Sequence, residues 1–367
     1  MIGLSQDGRG TLKKDNDVQH MVSLGLRVRT IAAGPTGEGK IFFYERGLWD
    51  IMNTQPILVL LHGYPQTSFM CTTHTLIWKY RLTDEAQIVT CLPRNIPLFI
   101  PDLPGYGRSS PLSGPHNKRS VGATILEALH CFLTYANNRT YKHLRLRHAD
   151  RKPIVIGGHD EGARVCHRLA VDQADYPTFS FQGAILFNIV PTAIQWYTFW
   201  TAESAVRSFH WSFLANVEVA TEMIMAQGGD AFARVCLSRW VGNTALGLTN
   251  FKSQDSVAIY TDSFKSESVI RATCDGFRAN AEEDFRLQWE DQISGKKMDV
   301  EVLLLYTEEL DNRFNVYPVW QDFMGKSHNL RGSMCQTIAG RHIGHFLPEE
   351  APVSAARIMM GFYHDCC

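Results

Sequence analysis

The apolar positions of this chain fall into short unbroken runs separated by longer amphipathic stretches. Pro56-Ile57-Leu58-Val59-Leu60-Leu61 is one such run and ends at His62-Gly63. Pro97–Asp102, Pro153–Gly158, Gly183–Phe187 and Val302–Tyr306 follow, and Ser333–Ile338 closes the series. Runs of this length suit strands covered on both faces, as in a parallel sheet. Upstream, Met21–Arg46 alternates more loosely around the Gly34-Pro35-Thr36-Gly37 turn and predicts two further β segments. Ser120–Ala136 and Ala163–Gln173 read as helices, with Val165, Leu169 and Ala170 on one side of the second. Strands alternating with helices predict an α/β fold with a central, mostly parallel sheet. Chemistry in such sheets gathers at the carboxyl ends of the strands.

The alternation breaks between about Thr192 and Met298, a region rich in Trp, Phe and Ala. It reads as a helical cap inserted into the sheet domain. The expected organisation is a first part of the core at residues 1–191, a cap at 192–299 and a second part of the core at 300–367. Phe69–Asn95 is long for a single connection and predicts an extra helix around Thr75–Tyr80.

Composition narrows the partners. The 367 residues carry 36 Lys+Arg against 37 Asp+Glu, a formal net charge of −1, which argues against a nucleic acid as the main partner. No apolar stretch is long enough to span a bilayer, so no membrane insertion is expected. The polar stretch Met1–His20 lacks the apolar centre of a secretory signal. Nine scattered cysteines without a CxxC pair read as reduced thiols in a cytoplasmic protein. On that footing the sequon at Asn138 is read as fortuitous, and the terminal Cys366-Cys367 has no polybasic stretch beside it to support a lipid anchor. A small-molecule substrate is expected, no cofactor is called for, and a homodimer is left open.

The chemistry centres on Gly158-His159-Asp160-Glu161-Gly162, between an apolar run and a helix pattern. Small residues on either side of the middle position permit a sharp strand-to-helix turn that exposes its side chain beside the helix N-terminus. An aspartate there can attack carbon and form an ester; taken by itself, it could equally cap the helix. Three further motifs accompany it: His62-Gly63-Tyr64-Pro65, Asp102-Leu103-Pro104-Gly105-Tyr106-Gly107-Arg108-Ser109 and Gly344-His345-Phe346-Leu347-Pro348. Together, from about Gly34 to the C-terminus, they resemble the α/β-hydrolase family, in the branch with a nucleophilic aspartate that holds epoxide hydrolases and haloacetate dehalogenases.

The resemblance implies a role for each position. Asp160 matches the nucleophile and His345 the water-activating base. The backbone N–H groups of Tyr64 and Glu161 match the oxyanion hole. Asp102 and Arg108 are expected to hold the loop near the site. His342 is read as structural or accessory, because an H-x-x-H pair without a further clustered ligand does not make a metal site. The acid that fixes the histidine is open between two positions. One is Asn188, which can orient the ring without balancing its charge; the other lies in Tyr306–Asp311, where Asp311 is favoured over Glu308.

The cap carries further resemblances. His210-Trp211 looks like the halide-binding pair of the haloacetate dehalogenases, and Phe277 stands where that branch has a tyrosine. Of the two arginines that follow the nucleophile in that branch, Arg164 keeps one, and Glu161 replaces the other. Glu161, Phe277 and Asn188 together argue against haloacetate, since an anionic side chain at the site would repel a small carboxylate. Tyr197 and Tyr260 are candidate acids for opening an epoxide, and His210 could serve instead. Trp196 and the other cap aromatics suggest an apolar substrate. The favoured expectation is an epoxide in a lipophilic metabolite. A dehalogenase of altered range, non-hydrolytic acid/base chemistry in the same pocket, and a small-molecule receptor stay open beside it.

Overall fold

The protein is described as a computed structural model over residues 16–34, 39–50, 54–71, 88–140, 151–325, 330–335 and 340–367. Eight strands form one sheet: β1 (Arg27–Ala33), β2 (Gly39–Arg46), β3 (Ile57–Leu61), β4 (Leu98–Pro101), β5 (Lys152–His159), β6 (Phe179–Phe187), β7 (Glu301–Thr307) and β8 (Leu330–Cys335). Their spatial order is β1-β2-β4-β3-β5-β6-β7-β8. β2 runs antiparallel to both neighbours, and every pair from β4 to β8 is parallel.

The unbroken apolar runs are explained by burial on both faces. Along β3, Ile57, Val59 and Leu61 join one core while Leu58 and Leu60 join the other. β7 divides in the same way, with Val302 and Leu304 on one side and Leu303 and Leu305 on the other. Ile125 and Leu129 of the helix Lys118–Thr140, and Leu169 of the helix Glu161–Val171, fill the first core. Met359 and Phe362 of the helix Pro352–Asp365 fill the second. The two-residue period of a strand thus feeds both layers at once.

Two expectations shift. Met21–Ser23 is not a strand but the end of the helix Asn16–Ser23. Asp17 and Met21 are spaced four apart and both buried, which is a helical rather than an alternating pattern, and Arg108 pairs with Asp17 at 2.5 Å. β8 begins at Leu330, earlier than Ser333. It is an edge strand with its residues half-buried or exposed, so no continuous apolar run marks it. Residues 336–339 and the expected helix around Thr75–Tyr80 lie outside the described residues.

Between β6 and β7 the chain from Thr192 to Ser294 forms only helices and turns. It lies over the carboxyl ends of the parallel strands, where the loops after β3, β5, β6, β7 and β8 also converge. Among the described residues no helix is long and apolar enough to cross a membrane.

Candidate active site

β5 ends at His159 and the next helix starts at Glu161, leaving Asp160 alone on the turn with φ 48° and ψ −117°. Such a backbone is sparsely populated by non-glycine residues and persists only where the surroundings impose it. Close packing does so here: a Cβ on Gly162 would lie 2.4 Å from the His62 carbonyl oxygen. Tyr64 N–H, on the loop after β3, donates to Asp160 Oδ2 at 3.0 Å. His62 secures that loop, accepting from Leu103 N–H at Nε2 and meeting Gly63 O through Nδ1. Asp102 holds the neighbouring loop by accepting from Ser68 N–H and Oγ–H and from Arg108 N–H. Burial alone would raise the Asp160 carboxyl pKa. His345, first through a hydrogen bond to the carboxylate, and the charge of Arg164 outweigh that effect and hold it well below the usual carboxylate range, so it is ionised.

His345 Nε2 stands 3.7 Å from Asp160 Oδ1. Its Nδ1 meets the side chain of Asn188, at the end of β6, with Nδ2 at 3.3 Å. The amide orientation is fixed from two sides. Asn188 Oδ1 accepts Thr307 N–H at 3.1 Å, and a backbone N–H can only donate. Asn188 Nδ2 donates to the His345 carbonyl at 3.3 Å, and a carbonyl can only accept. The group facing Nδ1 is therefore an N–H donor.

The other acid candidates stand elsewhere. Asp311 accepts Val316 N–H at 2.9 Å, and Glu308 opens the helix Glu308–Phe314; neither lines the cavity above Asp160. Asn188 alone of the three candidates contacts the ring in the described geometry. The sequence order after β7 made Asp311 attractive, but the helix that begins at Glu308 turns its carboxylate back onto its own chain.

A buried chain behind His345 gave no sequence signal. Its carbonyl meets His159 Nε2 at 2.8 Å, while His159 Nδ1 meets Gln66 Oε1 at 3.0 Å. Gln66 in turn bonds Glu349. Burial drives His159 down to about 3, so its ring is neutral near pH 7.

Tyr260 belongs to this buried chain rather than to the cavity. It is fully buried, and its hydroxyl donates to Glu349 Oε1 at 2.6 Å. Tyr197 is exposed, packs on Phe285 and Trp289, and does not line the cavity. Trp196 sits behind Trp211, donating its indole N–H to Asn280 O.

The cavity over Asp160 measures about 350 Å³. His210, Trp211 and Phe277 converge in it, with Phe277 edge-on to Trp211 at 5.7 Å and to Tyr64 at 5.2 Å. His210 is neutral, with burial driving its pKa down to about 3, and its Nδ1 has no hydrogen-bond partner among the described residues. The polar lining departs from expectation: Arg164, Arg207, Arg239 and Arg313 stand against the carboxylates Asp160 and Glu309. Glu161 does not repel anions here. Its side chain turns into the protein, to Lys118 Nζ at 2.8 Å, Arg164 Nε at 3.3 Å and Asn280 Nδ2 at 3.1 Å, and does not line this cavity. The expectation of a mainly apolar pocket, and the argument from Glu161 against an anionic substrate, are thereby corrected. The three outer arginines are polar positions on helices, which a sequence reading assigns to solvent.

A sharp aspartate-bearing turn after β5, a histidine after β8, a mostly parallel sheet of this order and an inserted helical cap define the α/β-hydrolase fold. No family model matches the chain. A fluoroacetate dehalogenase from Burkholderia sp. is 26% identical over 313 residues, covering 84% of this chain and 88% of the relative. Among solved structures, a presumed α/β hydrolase from Nostoc sp. PCC 7120 is 26% identical with a TM-score of 0.69, covering 92% of this chain and 97% of that one. A presumed epoxide hydrolase from Pseudomonas aeruginosa has the same fold at 22% identity, TM-score 0.68, over 93% of this chain and 96% of that one. The chain has the α/β-hydrolase fold and is similar to members of that family.

Proposed function

We propose that the protein cleaves a bond between saturated carbon and a leaving atom, with Asp160 as nucleophile and an alkyl-enzyme ester as intermediate. The observation that carries this reading is the ionised Asp160 carboxylate, held at the strained turn between Tyr64 N–H and His345. Asp160 Oδ1 attacks the carbon, and the leaving atom departs with the bonding electron pair. Water then adds to the ester carbonyl carbon. The oxyanion takes the N–H groups of Tyr64 and Glu161, the alcohol leaves, and one Asp160 oxygen comes from water.

His210 and Trp211 supply the leaving-atom subsite. A neutral imidazole can donate a hydrogen bond to the departing atom, whereas an epoxide oxygen must also gain a proton as it leaves carbon. A halide needs only the hydrogen bond. The geometry therefore favours a halide over an epoxide oxygen, and the name of the Burkholderia relative supports the same choice. Epoxide opening is the second reading. It needs a proton donor at the site; neither Tyr197 nor Tyr260 lines the cavity, whereas Tyr64 and His210 do.

Asn188 sets the pace of the second step. With an N–H donor against Nδ1, the tautomer of His345 that can accept there carries its proton on Nε2, toward Asp160. That tautomer cannot take a proton from water through Nε2, so ester hydrolysis waits on a shift of the proton and the alkyl-enzyme accumulates. The nine cysteines, all free, support the cytoplasm as the compartment.

The test is a single turnover in heavy-oxygen water with a panel of halocarboxylates and epoxides. Halide release with heavy oxygen in the Asp160 peptide is expected. Turnover without label in that peptide would overturn the ester route, and diol formation without halide release would select the second reading.

A further inference from the structure

Three arginines from separate segments meet at the rim of the cavity: Arg207 before the helix Phe209–Ala215, Arg239 near the end of the helix Gly229–Trp240, and Arg313 in the core helix Glu308–Phe314. Arg207 is neutralised by Glu203 at 3.3 Å and Glu309 at 3.4 Å. The other two have no carboxylate within ion-pair distance among the described residues. Arg239 lies over the Phe209 ring at 5.4 Å. Arg313 lies over the Phe314 ring at 4.9 Å and reaches Ser208 Oγ at 3.4 Å.

The positive field reaches the cavity floor. After burial, the charges of His345, Arg239 and Arg313 depress His210 against Asp160, and Arg207 depresses Arg313 against Glu309 and Glu203. Like charges gathered at a concave surface without counter-charge repel one another, and the same concavity focuses their field on an incoming anion. The guanidinium fork matches the paired oxygens of a carboxylate or phosphate.

We infer that Arg239 and Arg313, from cap and core, form an outer oxyanion subsite that holds a carboxylate or phosphate group of the substrate, away from the carbon attacked by Asp160. The subsite is separate from Arg164, whose guanidinium is committed to Glu161, the Val190 carbonyl, Thr192 and the Trp211 ring. It rests on the cavity being the substrate site proposed above, yet it requires no turnover. Because one arm comes from the cap and the other from the core, an anion bridging them also ties the cap down over the reacting carbon.

The test is equilibrium binding of inorganic phosphate and of succinate to the full-length protein. Tryptophan fluorescence gives the readout, since Trp211 and Trp240 line the cavity. Both arginines are exposed, so Arg239→Gln, Arg313→Gln and the double variant should keep the wild-type melting temperature, which is checked alongside. Binding to the wild type that weakens as ionic strength rises is expected, with at least a tenfold loss in the double variant and smaller losses in each single one. Tighter succinate binding assigns a carboxylate, and tighter phosphate binding a phosphate. Equal dissociation constants for wild type and double variant would overturn the subsite, as would the absence of binding of either anion to the wild type. Failure of the heavy-oxygen experiment alone would leave it standing.

Discussion

Replacing Asn188 by aspartate should reverse the tautomer of His345 and speed hydrolysis of the ester. In the native site the Nδ1–H tautomer, which frees Nε2 to take a proton from water, would set two N–H groups against each other across 3.3 Å. It forfeits one hydrogen bond, about 1 kcal/mol, and leaves a donor unsatisfied, about 1–3 kcal/mol. Together these make about 2–4 kcal/mol, which at about 1.4 kcal/mol per decade lowers the competent tautomer roughly 30- to 1000-fold. In Asn188→Asp one oxygen still accepts from Thr307 N–H and Oγ–H, and the other accepts Nδ1–H and stabilises the imidazolium. The interaction lost is the 3.3 Å bond to the His345 carbonyl. The backbone tolerates the change, because Asn188 has φ 54°, a region that aspartate also visits. The variant should therefore raise the rate of ester hydrolysis about 100-fold, while the rate of ester formation changes little. Two measurements check it. Nitrogen NMR of histidine-labelled protein, with His345 identified by its loss in His345→Gln, should show the lone pair on Nδ1 in the native protein and on Nε2 in the variant. Rapid quench and mass analysis of the Asp160 peptide should show the ester persisting in the native protein and decaying in the variant. A native His345 with its proton already on Nδ1 would refute the reasoning whatever the kinetics.

Other substitutions probe the remaining parts. Gly63→Ala places a Cβ 2.6 Å from Asp160 Cβ and 3.0 Å from His159 Nδ1, so the nucleophile or the loop must move; a stability loss of about 1–3 kcal/mol and a fall in ester formation are expected in denaturant melts and single turnovers. His210→Phe removes a donor from the leaving-atom subsite and should slow halide release about 100-fold, with ester hydrolysis unchanged in the same experiment. Lys118→Met leaves Asp284 without its buried cation and Glu161 with only Arg164 and Asn280, and should cost about 3–5 kcal/mol, read as a lower unfolding midpoint. The pH dependence of stability has a definite sign. Burial holds the fully enclosed His159 and His167 at about 3, below their ordinary value of about 6.5, so under acid the unfolded chain binds protons that the folded chain refuses. Stability should fall by about 1.4 kcal/mol per pH unit per histidine from about pH 6.5 toward 3, and His167→Gln should reduce the slope measured in urea melts by one proton.

The residues legible in the sequence were those whose chemistry and local backbone coincide. Gly158, Asp160 and Gly162 form a turn whose sterics require small neighbours, and the apolar run of β5 leads directly into it. The parallel strands could be read for a related reason: both faces of β3 and β7 are buried, so no polar residue interrupts them. β8, at the sheet edge, is not covered in that way and its boundary slipped. Tyr260 and Tyr197 illustrate a different limit. A tyrosine on a cap helix can face the cavity, the core or solvent, and the choice depends on how the helices are rotated against one another, which local spacing does not encode.

The arginines of the cavity show why charge was the hardest property to read. The chain has a net charge of −1, a balance that argues against a nucleic acid as the main partner. Net charge, however, says nothing about where charges are paired. Glu161 is one residue from Asp160 in sequence, yet its carboxylate is consumed by Lys118, Arg164 and Asn280 inside the protein. Arg239 and Arg313 are far from Asp160 in sequence, and they stand at its cavity without an ion pair among the described residues. The field that an incoming substrate meets is set by the charges left unpaired at the surface it enters, so a nearly neutral chain presents a positive mouth. The same reasoning separates two questions that Glu161 had joined. Arg164 remains at the cavity wall but is shared with a buried carboxylate, which weakens its claim on a small carboxylate at the reacting carbon. The unshared arginines farther out favour a longer anionic substrate, one whose charge is held apart from the bond that breaks.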